Sequence, residues 1–312
     1  MIQSYITQNR ILLSTENRDR PGIWLKVTAP TELEAQSLAE EFNLDEVDIL
    51  SAMDREEKTR IEFQDENCMI VFDIPTIEVH HDRKIYNTIP MVIFLTPDDV
   101  LTICSEETSV LQSFENRRVK EFSTKKRLRF VYQIMMQTAM YYQECLKKIE
   151  KRRQELEERI GDSLEENDLI CLHELESTLV YFATSLRENN NILSRLTRYK
   201  RLEQYEEDRD LLDDTIVETQ QAIEMTQIYR DIIDGTEQLM STIINNRLNN
   251  IMKILTSITI ILSIPTLISG LYGMNVSGIP LATLASSFWV VCLIIVLICI
   301  VTMFILRKKD LL

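Results

Sequence analysis

The chain has 312 residues, 45% of them apolar, with 49 acidic and 34 basic side chains for a formal charge of −15. This length allows a folded domain and more besides, and the acidic balance argues against a nucleic-acid binder, which needs a basic surface. The charge is unevenly placed: residues 1–250 hold 48 acids and 30 bases, residues 251–312 one acid and four bases. Met1-Ile2-Gln3-Ser4-Tyr5 has neither a basic start nor an apolar core, so no signal peptide is expected and the N-terminal part should stay in the cytoplasm. The six cysteines form no CxxC and no Cys/His cluster, and are expected as small hydrophobes in a reducing compartment.

Residues 1–124 are expected to form a mixed α/β domain. Ile23–Val27 is a strand, Thr31 an N-cap with acids in the first turn behind it, and Leu44–Met53 part of a second helix. Arg60–Phe63, Cys68–Ile74, Met91–Leu95 and Val100–Cys104 have strand composition, though their order is open. No phosphate loop or nucleophile motif is present, which points away from an enzyme. His80-His81-Asp82 is a solvated turn in preference to a metal site, because neighbouring side chains on a strand face opposite ways. Residues 125–250 carry helical spacing in three runs, about Lys125–Ile160, Leu169–Tyr199 and from Asp210 onward, interrupted only at Gly235. The last run is expected as a stalk continuous with the apolar stretch beyond residue 250.

From Ile254 to Leu306 no side chain is Asp, Glu, Lys, Arg or His. That is room for two crossings of a bilayer at ~20 residues each: a first span over 251–271, an outer loop over 272–285, and a second span over 286–306. Arg247 and Lys253 lie at the start of the hairpin, Arg307, Lys308 and Lys309 follow it, and the loop is uncharged, so both ends are expected inside. At ~100° per residue, Gln238, Ser241, Asn245, Asn249, Met252, Thr256, Thr259, Ser263, Thr266 and Gly270 share one arc. A ring of such stripes can enclose water in a membrane. Close packing against another helix accounts equally well for the small residues, but less well for Gln238, Asn245 and Asn249.

Tyr272-Gly273-Met274-Asn275 closes the first of two C-terminal spans, and one more span and a basic tail come after it. In that position it resembles the signature of the CorA magnesium-channel family. Pro265-Thr266, Gly270, and the run Trp24 … Asp48-Ile49-Leu50 … Arg60-Ile61-Glu62 are also similar to the family pattern. The resemblance implies an α+β cytoplasmic domain, long stalk helices and a two-helix transmembrane hairpin, assembled as a homopentamer in the cell membrane. It implies a selectivity filter at Gly273, Met274 and Asn275, and a pore lined by Asn245, Asn249, Met252, Thr256, Thr259, Ser263, Thr266 and Gly270. It also implies a regulatory divalent ion between Asp48 of one subunit and Asp214 of another, whose carboxylates repel unless a cation bridges them; two solvated surface acids are the alternative. The transported ion would be Mg²⁺, with Zn²⁺, Co²⁺ or Ni²⁺ as alternatives. The loop Val276–Leu281 lacks the acid that many relatives carry, which weakens cation capture, whereas the intact Met274 favours magnesium over the related ZntB-type zinc transporters. A membrane-anchored sensor or scaffold is the remaining alternative.

Overall fold

The structure is a computed structural model that describes all residues except 10, 19, 81–82, 160–165, 200–204, 275–278, 281–286, 310 and 312. It divides into two compact units, Met1–Thr236 and Glu237–Leu312.

The first unit is built on seven strands: β1 (Ile2–Gln8), β2 (Ile11–Ser14), β3 (Ile23–Thr28), β4 (Arg60–Gln64), β5 (Asn67–His80), β6 (Arg83–Leu95) and β7 (Val100–Cys104). They lie in the order β2-β1-β3-β7-β6-β5-β4, with only β3 and β7 parallel. The central strands are apolar in continuous runs because both sheet faces are covered. Met69 and Val71 point to one face, with Leu38 and Ile49 of the helices α1 (Glu32–Phe42) and α2 (Glu46–Leu50). Cys68, Ile70 and Phe72 alternate to the other, where α3 (Ser109–Glu115) and α4 (Arg127–Arg159) supply Phe114 and Phe130. Trp24 is 0% exposed among Tyr5, Phe114, Phe122 and Phe130, and its indole N–H donates to Thr102 Oγ1 at 2.9 Å. That bond satisfies the one polar atom a buried tryptophan brings with it.

The Thr31 cap forms as expected and closes a full capping box with Glu34. The hairpin β5–β6 runs well past its apolar halves, to His80 and from Arg83. His81 and Asp82 lie outside the described residues. The outer half of that hairpin is held by α5 (Glu166–Leu196): Thr178 Oγ1 donates to Tyr86 O at 3.0 Å, and Ser185 Oγ to Thr88 Oγ1 at 3.2 Å. Asp73 sits beneath the same helix. Its N–H donates to Asn189 Oδ1 at 2.9 Å, its carbonyl accepts from Asn189 Nδ2 at 2.7 Å, and burial pushes its carboxyl up to about 6.

The helix α6 spans Glu206–Tyr272 without a break. It begins four residues before the expected Asp210, where Glu206, Glu207 and Asp208 suit the positive end of the helix dipole. Gly235 does not interrupt it, since a glycine inside a long helix costs only ~1 kcal/mol relative to alanine. In the second unit α6 is followed by α7 (Ser287–Lys308), and both helices are long and apolar enough to cross a membrane.

Candidate functional site

The second unit presents two distinct faces of α6. Ser257 is 1% exposed, and Ile261, Ile264 and Ile268 are half-buried. This is the face that meets α7 and the chain end: Ser257 Oγ donates to Leu311 O at 2.7 Å, and the Cys299 thiol approaches Ile261 O at 3.9 Å. The second contact has a covalent origin. Pro265 has no N–H, so the carbonyl four residues earlier, that of Ile261, loses its intrahelical donor. A thiol from the neighbouring helix takes part of that role.

The polar arc lies about 150° round the helix from this face, at ~100° per residue. Asn245, Asn249, Met252, Thr256, Thr259, Ser263, Thr266 and Gly270 are all exposed in the single chain. The arc is therefore turned away from the chain's own second span. Three of its hydroxyls have committed protons: Thr259 donates to Leu255 O at 2.8 Å, Ser263 to Thr259 O at 2.7 Å, and Thr266 to Leu262 O at 2.9 Å. With the hydrogen directed into the helix, each oxygen turns lone pairs outward. Over Thr259, Ser263 and Thr266 the stripe is thus a row of acceptors without charge.

At its outer end α6 closes on Tyr272. The Gly273 N–H donates to Ser269 O at 2.9 Å, and a Cβ at Gly273 would stand 3.2 Å from that same oxygen. A larger residue there would crowd that oxygen by a few tenths of an ångström, so glycine suits the tight end of the helix. Met274 is exposed, and Tyr272 OH donates to Pro280 O at 3.1 Å, tying the helix end to the loop. Asn275 lies outside the described residues.

The two regulatory candidates belong to the first unit. Asp48, on α2, is 17% exposed and meets Arg60 Nη2 of β4 at 3.3 Å; Arg60 also pairs with Glu57 and, at 2.7 Å, with Glu62. Burial raises the Asp48 carboxyl, Arg60 pulls it back, and Glu62 and Asp45 raise it further. Asp214 is exposed on α6. Within one chain the acid therefore has a resident counter-ion, Arg60. The sequence pattern Arg60-x-Glu62 marked that strand, but it gave no sign of the contact back to Asp48, twelve residues earlier.

A family model described as "CorA-like Mg2+ transporter protein" matches residues 21–308. The chain belongs to the CorA-like Mg²⁺ transporter family. It is a divalent cation transporter of that family, a membrane protein with two C-terminal apolar helices, and not an enzyme. The "Cobalt/magnesium transport protein CorA" of Methanocaldococcus jannaschii is 29% identical over 296 residues, covering 92% of this chain and 90% of the relative. The complete structure of that organism's CorA magnesium transporter superposes with a TM-score of 0.84 at 25% identity, over 99% of this chain and 98% of the other. The full-length CmaX structure aligns with a TM-score of 0.71 at 17% identity, over 98% and 96% of the two chains. The ZntB cytoplasmic domain of Vibrio parahaemolyticus gives 0.59 at 10%, over 78% and 97%. At those identities CmaX and ZntB share the fold with this CorA-family chain and speak to nothing finer.

Proposed function

We propose that this chain is a Mg²⁺ channel of the cell membrane, a homopentamer with both termini in the cytoplasm, whose pore is lined by the polar arc of α6. One observation carries the reading: a polar face from Asn245 to Gly270, uncharged and with Met252 its one bulky apolar member, is turned away from the chain's own second span and holds the outward-facing hydroxyl oxygens of Thr259, Ser263 and Thr266. Such a face satisfies nothing in lipid, and a ring of copies gives it water. Mg²⁺ dehydrates reluctantly and keeps several waters. Those waters point their hydrogens away from the ion, so a suitable wall must accept hydrogen bonds. Thr259, Ser263 and Thr266 do so, and the Asn275 amide oxygens would do so at the outer mouth as part of a Gly273-Met274-Asn275 filter.

Cytoplasmic Mg²⁺ closes the channel by bridging Asp48 of one subunit and Asp214 of the next. Carboxylates suit a hard cation, but at Asp48 the ion must displace or share Arg60. Binding that favours the closed arrangement shifts the population toward it in proportion to the differential affinity.

The test is Mg²⁺ influx into liposomes, with Zn²⁺, Co²⁺ and Ni²⁺ as competitors. Asn275→Ala should cut Mg²⁺ flux at least tenfold and leave the oligomer assembled. Preferential Zn²⁺ flux would replace the magnesium reading with a ZntB-like one, and absence of any flux would leave a membrane-anchored sensor.

A further inference from the structure

The first unit carries a groove of about 550 Å³ where β6, α4 and α5 meet. Four bases line it: Lys84 from β6, and Lys148, Lys151 and Arg152 from α4. The acids in its wall are Glu155 and Glu174, so the groove is net positive in a chain of charge −15. The three α4 bases stand at positions i, i+3 and i+4 and share one helix face, an arrangement that costs a few tenths of a kcal/mol in mutual repulsion. Lys148 is answered by Glu144 at 2.7 Å and Arg152 by Glu155 at 3.0 Å. Among the described residues, no carboxylate stands within 4 Å of the amine of Lys84 or Lys151.

The floor of the groove is of another character, with Ile85 and Leu175 lining it. Tyr86 beneath them is buried, its carbonyl held by Thr178 Oγ1 at 3.0 Å. Cations on the rim over an apolar floor, in a volume typical of small-molecule sites, call for a ligand with the same two parts. A lone phosphate would leave the floor uncovered, and the long acyl chains of a phospholipid would outrun a floor that Ile85 and Leu175 make.

We infer that this groove binds a nucleoside di- or triphosphate, its phosphates on Lys84, Lys151 and Arg152 and its base over Ile85 and Leu175. Arg152 matches a phosphate with two parallel N–H groups. It reaches the phosphate by releasing Glu155, in a surface pair whose two members are each 43% exposed and which is weak for that reason. The groove belongs to the first unit, and its occupancy is read without any ion flux.

The experiment uses the full chain in detergent at fixed free Mg²⁺, with binding of ADP and ATP followed by calorimetry. Saturable binding is expected, weakened at least tenfold in Lys84→Glu/Lys151→Glu. It should be unchanged in Lys120→Glu/Lys147→Glu, which carries the same charge change on exposed lysines outside the groove. All four positions are exposed, so both variants should fold, and an unchanged thermal unfolding curve verifies it. The inference is overturned by lack of saturable nucleotide binding, or by equal loss in the control variant. Pyrophosphate or anionic lipid vesicles binding as tightly as ADP would overturn it too, since the nucleoside would then contribute nothing.

Discussion

Asp73 offers a direct test of how the sheet is held to α5. Burial pushes its carboxyl up to about 6 from the ordinary 3.8; a Ser185 hydrogen bond pulls it down in part, and the nearby charge of Glu188 raises it. Tyr142 OH also reaches its carbonyl at 3.3 Å, so the residue is fixed from both α4 and α5. A carboxyl whose folded pKa is raised costs stability wherever it must ionise in the folded state. At ~1.36 kcal/mol per pKa unit, the cost is roughly 3 kcal/mol above pH 6. It shrinks as pH falls through 6, and is gone below about pH 4, where the unfolded chain is protonated too. Asp73→Asn keeps the shape and removes the charge. It should therefore stabilise the first unit by up to roughly 3 kcal/mol at pH 7.5 and by almost nothing at pH 4. Urea unfolding of the detergent-solubilised chain, followed by the buried Trp24 in a Trp289→Phe background, reads the difference directly. A variant less stable than the parent at pH 7.5, or a difference that does not change with pH, would refute the reasoning.

Other outcomes rest on the same contacts. Cysteines at Ser263 and Thr266, in a background lacking the native ones, should react with a small water-soluble thiol reagent, and one at Ile261 should not; equal reactivity would make the arc a packing face. Lys26, 2% exposed between Glu107 at 2.6 Å and Glu115 at 2.8 Å, should cost about 2–3 kcal/mol on replacement by Met, short of the 3–5 typical of fully buried pairs because both carboxylates reach solvent. Chemical denaturation reads that loss. Arg60→Gln should lower, by several-fold, the Mg²⁺ concentration that protects the chain from protease, because the resident cation no longer competes at Asp48. An unchanged midpoint would separate Arg60 from any ion site there.

Much of the fold was legible where local chemistry decides it. The Thr31 cap and the doubly covered strands carry their signal within a dozen residues, and the uncharged hairpin carries its own in one continuous stretch, Ile254 to Leu306. The missed elements depend on distant partners. β1 and β2 mix Ser4, Thr7 and Ser14 with their apolar residues and acquire a role only by pairing with β3 and with each other. The outer halves of β5 and β6 include Pro75, Thr76, Asn87 and Pro90, which read as loop; α5 holds this part of the hairpin through the neighbouring Tyr86 carbonyl and Thr88 hydroxyl. The seven-residue α3 is too short for periodicity to identify, although Thr108 caps it. At the candidate sites the arc on α6 followed from helical geometry alone. Its orientation relative to α7 did not, and neither did the Asp48–Arg60 pair, which joins a helix to an edge strand.

The absence of Asp, Glu, Lys, Arg and His from Ile254 to Leu306 bears on how membrane voltage would act. A potential of 100 mV exerts about 2.3 kcal/mol on each elementary charge that crosses it. A divalent ion passing through such a protein would gain roughly twice that, while residues 254–306 offer the field no charged side chain to pull. Voltage would drive the cargo and leave the gate alone, so opening should respond to chemistry on the cytoplasmic side and the rate of passage to the potential.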